Sequence, residues 1–193
     1  MTHQRILKTP ETVIWDFNGT LIDDVEWVVR AVNVQLAARS LPRLTVESYR
    51  SVFGFPVEAY YRRIGLDPSQ GSMAELSAEF HEEYAAGLER SSLQVGVREV
   101  LERFRVLGAQ QLVLSAMEET LLRKSVRRLA IDRYFTAIYG LAHLKGDSKA
   151  ARAHTLLQNY DIDPDTALWI GDTDHDAEVA RGLGIRVVLV ACG

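Results

Sequence analysis

The 193-residue chain is 47% hydrophobic and 25% charged, with a formal net charge of −4. Such a chain can bury a core, and its acidic balance argues against nucleic acid, whose binders need a basic face. No apolar stretch approaches the roughly 20 residues of a membrane span, and Met1-Thr2-His3-Gln4-Arg5 lacks the apolar segment of a secretory signal. A lone Cys192 forms no internal disulfide, which fits a reducing cytoplasm and makes it a bystander rather than a nucleophile.

Val13-Ile14-Trp15 reads as a buried strand that ends abruptly in Asp16, with Gly19 marking the turn that leaves it. Asp16 then sits at the carboxyl end of a central strand, where open α/β sheets place their ligands. From 21 to 93 no convincing strand pattern appears. Val25, Val28, Val29, Val32 and Leu36 follow helical periodicity, while Phe53-Gly54-Phe55-Pro56 and Leu66-Asp67-Pro68 mark turns. The spacing predicts a helical insertion after the first strand, with re-entry over 95–101.

An amphipathic helix over 98–107 closes at Gly108, and strands follow over 111–115 and, more weakly, 134–139. Arg123-Lys124 with Arg127-Arg128 reads as the solvated face of a helix between them. A helix over 149–158, a strand over 166–170, a helix over 176–183 stopped by Gly184 and a strand over 185–190 complete the order. Strands alternating with helices imply a parallel sheet covered on both faces. Asp16, Ser115 and Asp172 each end a strand, which places all three on one edge of that sheet.

Asp16-Phe17-Asn18-Gly19-Thr20, Ser115-Ala116, a lysine at 145 or 149, and Gly171-Asp172-Thr173-Asp174-His175-Asp176 occur in that order. The set resembles the four motifs of the haloacid dehalogenase-like hydrolase superfamily, whose phosphatases begin Asp-x-Asp-x-Thr. The helical segment is similar to the small cap of the branch containing phosphoglycolate phosphatase-like enzymes. The resemblance implies an α/β fold: a Rossmann-like parallel sheet core, residues 1–20 and 94–193, with an inserted all-helical cap, residues 21–93. It also implies a phosphoric monoester hydrolase that uses Mg2+ to hydrolyse a small phosphorylated metabolite through an aspartyl-phosphate.

In that scheme Asp16 attacks phosphorus, splitting one hard displacement into two easier ones. Mg2+ takes one or two carboxylates with phosphate and water. Asp16, Asp172 and the main-chain carbonyl of Asn18 would hold it, with Asp176 acting through water or behind those ligands. Ser115 and Ala116 would donate to the phosphoryl oxygens. A lysine neutralises the transferring group. Lys145 and Lys149 compete for that role, and Lys149 is preferred because it opens a helix 23 residues before Asp172. Asp147 or Ser148 caps that helix. Thr20 bonds the residue 18 side chain or simply steadies the turn, and Asp174 and His175 read as loop. Among Tyr60, Tyr61, Arg62 and Arg63 in the cap, an Arg is a candidate for a substrate anion, with plain exposure the simpler role.

Each residue has a plainer role when taken alone: an Asp or Ser in a turn, or acids favoured at a helix start. Their joint order is what favours a site. Asn18 departs from the motif. Its carbonyl still coordinates, but an amide neither delivers nor takes a proton, and loss of a general acid/base costs about 10²–10⁴ in rate. Other superfamily members, including P-type ATPases and phosphonatases, also lack Asp there and keep the nucleophile. The chain therefore acts on good leaving groups, borrows Asp23 or Asp24, or is a weakly active or inactive phosphate-binding or protein-binding member of the fold. An introduced Asp-to-Asn change is a further possibility, and dehalogenase chemistry is a more distant one.

Overall fold

The computed structural model describes residues 9–67, 72–141 and 148–192. Lys145 and Asp147, both named above, lie outside the described residues.

The chain enters through β1 (Thr12–Trp15), then β2 (Ile22–Asp23), and runs through α1 (Val25–Ala38), α2 (Val46–Val52), α3 (Val57–Arg63) and α4 (Met73–Leu88). It returns through β3 (Ser92–Leu93) to α5 (Val97–Val106), β4 (Gln110–Glu118) and α6 (Glu119–Arg128). β5 (Ala137–Leu141), α7 (Lys149–Asn159), β6 (Ala167–Gly171), α8 (Asp174–Gly182) and β7 (Arg186–Leu189) complete it. Among the described residues, no helix is long and apolar enough to cross a membrane.

Five strands form one parallel sheet in the order β5-β4-β1-β6-β7. All four residues of β1 are buried because both faces of the sheet are covered. Side chains alternate between the faces. Val13 and Trp15 join Leu101, Leu122 and Val126 on one side, while Ile14 joins Ala153, Leu156, Val179 and Ala180 on the other. From β1 the chain adds β4 and β5 on one flank and then crosses to β6 and β7 on the other. The strand order therefore reverses at β1, and a crevice opens beyond its carboxyl end. The weak strand expected over 134–139 is displaced: a 3-10 turn, Asp132–Tyr134, comes first, and β5 begins at Ala137.

The 21–93 stretch is helical apart from β2 and β3, which pair antiparallel as Ile22 with Leu93 and Asp23 with Ser92. Two residues are too few to carry a period-2 signal, so the pair was invisible in the sequence. It ties together the two strands of chain that lead to and from α1–α4. Those helices share their own cluster, including Val29, Val32, Leu36, Tyr49, Tyr60 and Leu76. α1 and α4 meet closely where Trp27 covers Gly87: a Cβ at Gly87 would lie 2.6 Å from the indole.

Candidate active site

Four segments converge at the carboxyl edge of the sheet. Asp16 follows β1, its backbone N–H donating to the Ile170 carbonyl of β6 at 2.8 Å. Lys149 is the first residue of α7, whose N-terminus is capped by Ser148 accepting from Ala151 N–H. Gly171 ends β6 and Asp172 follows. Thr173 then caps α8 in a reciprocal box with Asp176. That cap starts α8 at Asp174, so Asp174 and His175 lie in a helical first turn and not in the loop expected for them.

Lys149 is only 7% exposed and reaches both Asp16 Oδ1 and Asp176 Oδ1, the latter at 2.7 Å. It also lies over the Trp169 ring, 5.7 Å from the centroid. Asp176 accepts four hydrogen bonds: Lys149 and Trp169 Nε1 (3.2 Å) on Oδ1, the Thr173 hydroxyl (2.6 Å) and amide (3.1 Å) on Oδ2. A carboxylate offers about four acceptor sites, so Asp176 is saturated by protein groups. It positions Lys149. Carboxylate oxygens of Asp16, Asp172 and Asp176 come within 4.8 Å of one another. Hard oxygen donors converging in this way suit a cation such as Mg2+. Asp16 and Asp172 are the better placed to bind it, with Asp176 behind them.

The electrostatics follow from this crowding. Burial pushes Asp16 up to about 8 against the pull of Lys149, and the neighbouring Asp176 and Asp172 add to the rise. Burial likewise lifts Asp172 to about 6, opposed by a hydrogen bond from Thr20. Asp176 is buried too, yet Lys149 and Thr173 hold it below the usual carboxylate range. Burial alone would pull Lys149 down, but Asp16 and Asp176 outweigh it and keep the ammonium charged. Three carboxylates around one ammonium leave an excess of negative charge, which a divalent cation would remove.

Thr20 does not reach the residue 18 side chain, as one of its expected roles required. Its hydroxyl donates across the turn to Asp172 Oδ1 at 2.9 Å. The Asn18 amide instead donates to Asp24 Oδ2 (2.8 Å) and to the Tyr84 hydroxyl (2.7 Å), while Asn18 Oδ1 accepts from Ser115 Oγ (3.2 Å). Tyr84 in turn donates to Asp24 at 2.5 Å, and Gly19 N–H binds the other Asp24 oxygen at 2.9 Å. Of the two acids considered as substitutes for position 18, Asp24 is buried in this network and Asp23 is exposed. β4 runs past Ser115 to Glu118, with an irregular register against β5 between Leu114 and Glu118. Ser115 Oγ accepts from Met117 N–H there, and Ala116 is exposed toward the crevice.

Above these groups lies a cavity of about 610 Å³ shared between the sheet edge and the helices. Arg62 is exposed and paired with Glu58 at 2.6 Å, and Arg63 donates to the Val52 carbonyl at 2.7 Å. Neither lines the cavity, whereas Tyr60 and Tyr61 do. Tyr84, Trp169 and Thr173 are site residues to which sequence reasoning assigned no role. Only Thr173 carried a readable signal, since a Thr three residues before an acid is a capping pattern.

The sequence profile described as haloacid dehalogenase-like hydrolase matches residues 13–190. The chain belongs to that family. Among curated proteins this haloacid dehalogenase-like chain is 27% identical over 189 residues to the tyrosine-protein kinase PtkA of Mycobacterium tuberculosis, covering 96% of the chain and 64% of PtkA. It is 30% identical over 191 residues to a phosphoglycolate phosphatase of Caulobacter vibrioides, covering 94% and 79%. The chain thus spans just under two thirds of PtkA and more of the phosphatase. Among solved structures, a haloacid dehalogenase-like family hydrolase from Streptococcus pneumoniae superposes with a TM-score of 0.83 at 23% identity, covering 96% of this chain and 86% of that one.

Proposed function

We propose that this chain is a phosphatase that hydrolyses a small phosphate ester through an aspartyl-phosphate on Asp16, with Mg2+ as its cation. The observation that carries the proposal is the buried Lys149 bridging Asp16 and Asp176 beside Asp172, all at the mouth of one cavity. Likeness to a phosphoglycolate phosphatase supports the reaction class. In this reading residues 1–20 and 94–193 form the catalytic core, and 21–93 form the cap that covers it.

Asp16, Asp172 and the residue 18 carbonyl would hold the cation, which when bound neutralises phosphoryl oxygens and steadies developing charge. The free oxygen of Asp16 attacks phosphorus while Lys149 stabilises the transferring group. Asp176 keeps Lys149 charged and aimed, and Thr20 orients Asp172 through its hydroxyl. Ala116 and Ser115 line the side facing the phosphoryl oxygens, although the Ser115 hydroxyl donates to Asn18 in this arrangement. Water then attacks the aspartyl-phosphate and restores Asp16.

The test is a phosphatase assay with and without Mg2+, on wild type and Asp16→Asn. Metal-dependent release of phosphate that vanishes in the variant is the expected result. Full activity in excess chelator, or in Asp16→Asn, would overturn it. The reading as a weakly active or inactive binding member of the fold stays attached to one observation: Asn18 has no transferable proton. It predicts at most trace turnover of any phosphate ester.

A further inference from the structure

The cap half of the cavity is built almost wholly from apolar and aromatic side chains. Tyr49, Phe53 and Tyr60 form one group, with Phe53 stacked on Tyr49 at 5.0 Å and edge-on to Tyr60 at 5.2 Å. Phe80 stacks on Tyr84 at 5.3 Å from α4, and both line the same space. Phe55 closes the rim, stacked at 4.4 Å on His175 of α8. The volume, about 610 Å³, falls in the roughly 300–1,000 Å³ range of small-molecule sites. It leaves room for a leaving group well beyond two carbons.

What the lining lacks is equally informative. Among the described residues, Lys149 is the only Lys or Arg that lines the cavity. It is already engaged by Asp16 and Asp176 at the reacting end. Three of the cap arginines are engaged elsewhere, Arg50 with the Cys192 carbonyl, Arg62 with Glu58 and Arg63 with the Val52 carbonyl, and none of the cap arginines lines the cavity. Residues 68–71, Pro-Ser-Gln-Gly, bring no cation to the cap by composition. Tyrosines aside, the remaining ionisable groups of the lining are the acids Asp24, Glu118 and Asp172 and the imidazole of His81, which burial pulls below its usual range and so toward the neutral form. Among the described residues a carboxylated leaving group would meet hydroxyls, such as the unpartnered one of Tyr60, but no cation to offset its burial, which is costly.

Asn18 points the same way on independent grounds. With no transferable proton at that position, a departing oxygen that no other acid aids leaves as an anion. A phenol ionises near pH 10, about the value for tyrosine, whereas an aliphatic alcohol holds its proton about as tightly as water, near 15.7. Only the first leaves readily unaided.

We infer that the substrate is an aryl phosphate monoester whose leaving group is aromatic and carries no second charge, an inference that rests on the phosphatase function proposed above. In the first step the Asp16 oxygen forms a bond to phosphorus, the bond from phosphorus to the aryl oxygen breaks, and the aryloxide departs with the electron pair. In the second, water bonds to phosphorus, the Asp16–phosphorus bond breaks, and the water proton passes to phosphate or solvent. The aryloxide takes its proton from water, so ester plus water yields phenol plus phosphate. The ring occupies the space among Phe53, Tyr49, Phe80 and Tyr84.

The test compares phenyl phosphate, 2-naphthyl phosphate, 2-phosphoglycolate and acetyl phosphate with wild type in Mg2+. Phenol and 2-naphthol have similar acidity, so that pair reads the cavity and not leaving-group chemistry. kcat/KM should rise about tenfold or more from phenyl to naphthyl, and phosphoglycolate should trail both aryl esters. Phe53→Ala should shrink the naphthyl-to-phenyl ratio. A non-hydrolysable pair, naphthylmethylphosphonate against methylphosphonate, should show the same preference in binding by calorimetry. Turnover of acetyl phosphate together with phosphoglycolate equal to or better than the aryl esters would overturn the inference and leave the phosphatase function standing. Equal use of phenyl and naphthyl esters with equal phosphonate affinities would do the same. Failure to hydrolyse any of the four would remove both.

Discussion

The side-chain amide of Asn18 donates to the Asp24 carboxylate at 2.8 Å, and the Tyr84 hydroxyl of α4 closes the triangle by donating to the same Asp24 oxygen. Asp24 is 2% exposed, and burial pushes its carboxyl up against the opposing hydrogen bonds of Tyr84 and Asn18. An amide at position 18 therefore does structural work: it supplies a donor to a buried acid at the start of α1.

That contact decides what restoring a carboxylate would do. Asn18→Asp places two acids in direct contact, and like charges sharing a buried site raise one pKa strongly. The raised acid binds its proton more tightly in the folded state, so its stability contribution is present at low pH and lost as pH rises above the ordinary carboxylate range. The variant should melt near wild type at pH 5 and well below it at pH 8. Asn18→Asp with Asp24→Asn exchanges amide and carboxylate and should recover the pH 8 melting temperature. That double variant should also gain turnover of alkyl phosphates, by up to about 10²–10⁴. Equal stability of the single variant and wild type at pH 8 would show that the two side chains do not share the site in this way.

Removing Lys149 leaves Asp16 and Asp176 buried and facing one another. Breaking a buried ion pair on one side costs about 3–5 kcal/mol. Lys149→Met, which keeps most of the volume, should lower melting temperature and kcat together. Mg2+ should recover part of the stability, because it restores positive charge near Asp16, but not the rate, because the contact to the transferring group is gone. Lys145→Ala is the comparison and should be mild. The reverse ranking of the two lysines in kcat would transfer the catalytic role to Lys145.

The site edge was legible because three of the core strands carry an apolar run that meets a polar residue, as Trp15-Asp16, Leu114-Ser115 and Ile170-Gly171-Asp172 show. Lys149 was preferred over Lys145 only on its helix start and spacing. Tyr84 was not legible: it sits 66 residues from Asn18, in a helix where an aromatic residue reads as core. Thr20 went to Asp172 and not to Asn18 because Asp24 and Tyr84 had already taken the amide. Such choices among polar partners are set by tertiary contacts, which periodicity does not encode.

Asp172, raised to about 6 by burial, makes the metal-free fold sensitive to pH. An acid whose folded pKa lies above its unfolded value, 3.8, stabilises below that value and loses its contribution as pH rises through about 6. Asp16, raised to about 8, extends the loss further. Asp172→Asn should therefore raise the metal-free melting temperature at pH 8 and leave it unchanged near pH 4. Mg2+ binds the ionised acids, so its stabilisation of wild type should grow between pH 5 and 8 and be largely absent in the variant. A Mg2+ shift preserved in Asp172→Asn would exclude Asp172 as a ligand, and a shift independent of pH would show that burial does not raise the site carboxyls.

Gly171 offers the most local test of the site, because it removes no functional atom. A Cβ there would overlap the Asp176 carboxyl carbon and lie 2.6 Å from its Cβ and 2.7 Å from Oδ2. Asp176 is no flexible tip that swings aside: Trp169, Lys149 and Thr173 pin both of its oxygens. Gly171→Ala should push Asp176 away, loosen Lys149 and cost rate steeply, since a displacement of about 1 Å near reacting groups can cost about 10²-fold. Gly182, in α8, is the control: a Cβ there meets nothing within 4 Å. Gly182→Ala should leave kcat unchanged and, at the last residue of the helix, stabilise the fold by no more than about 0.4–1 kcal/mol. If Gly171→Ala keeps full kcat, Asp176 does not hold Lys149 in place, and Lys149 is fixed by Asp16 and Trp169 alone.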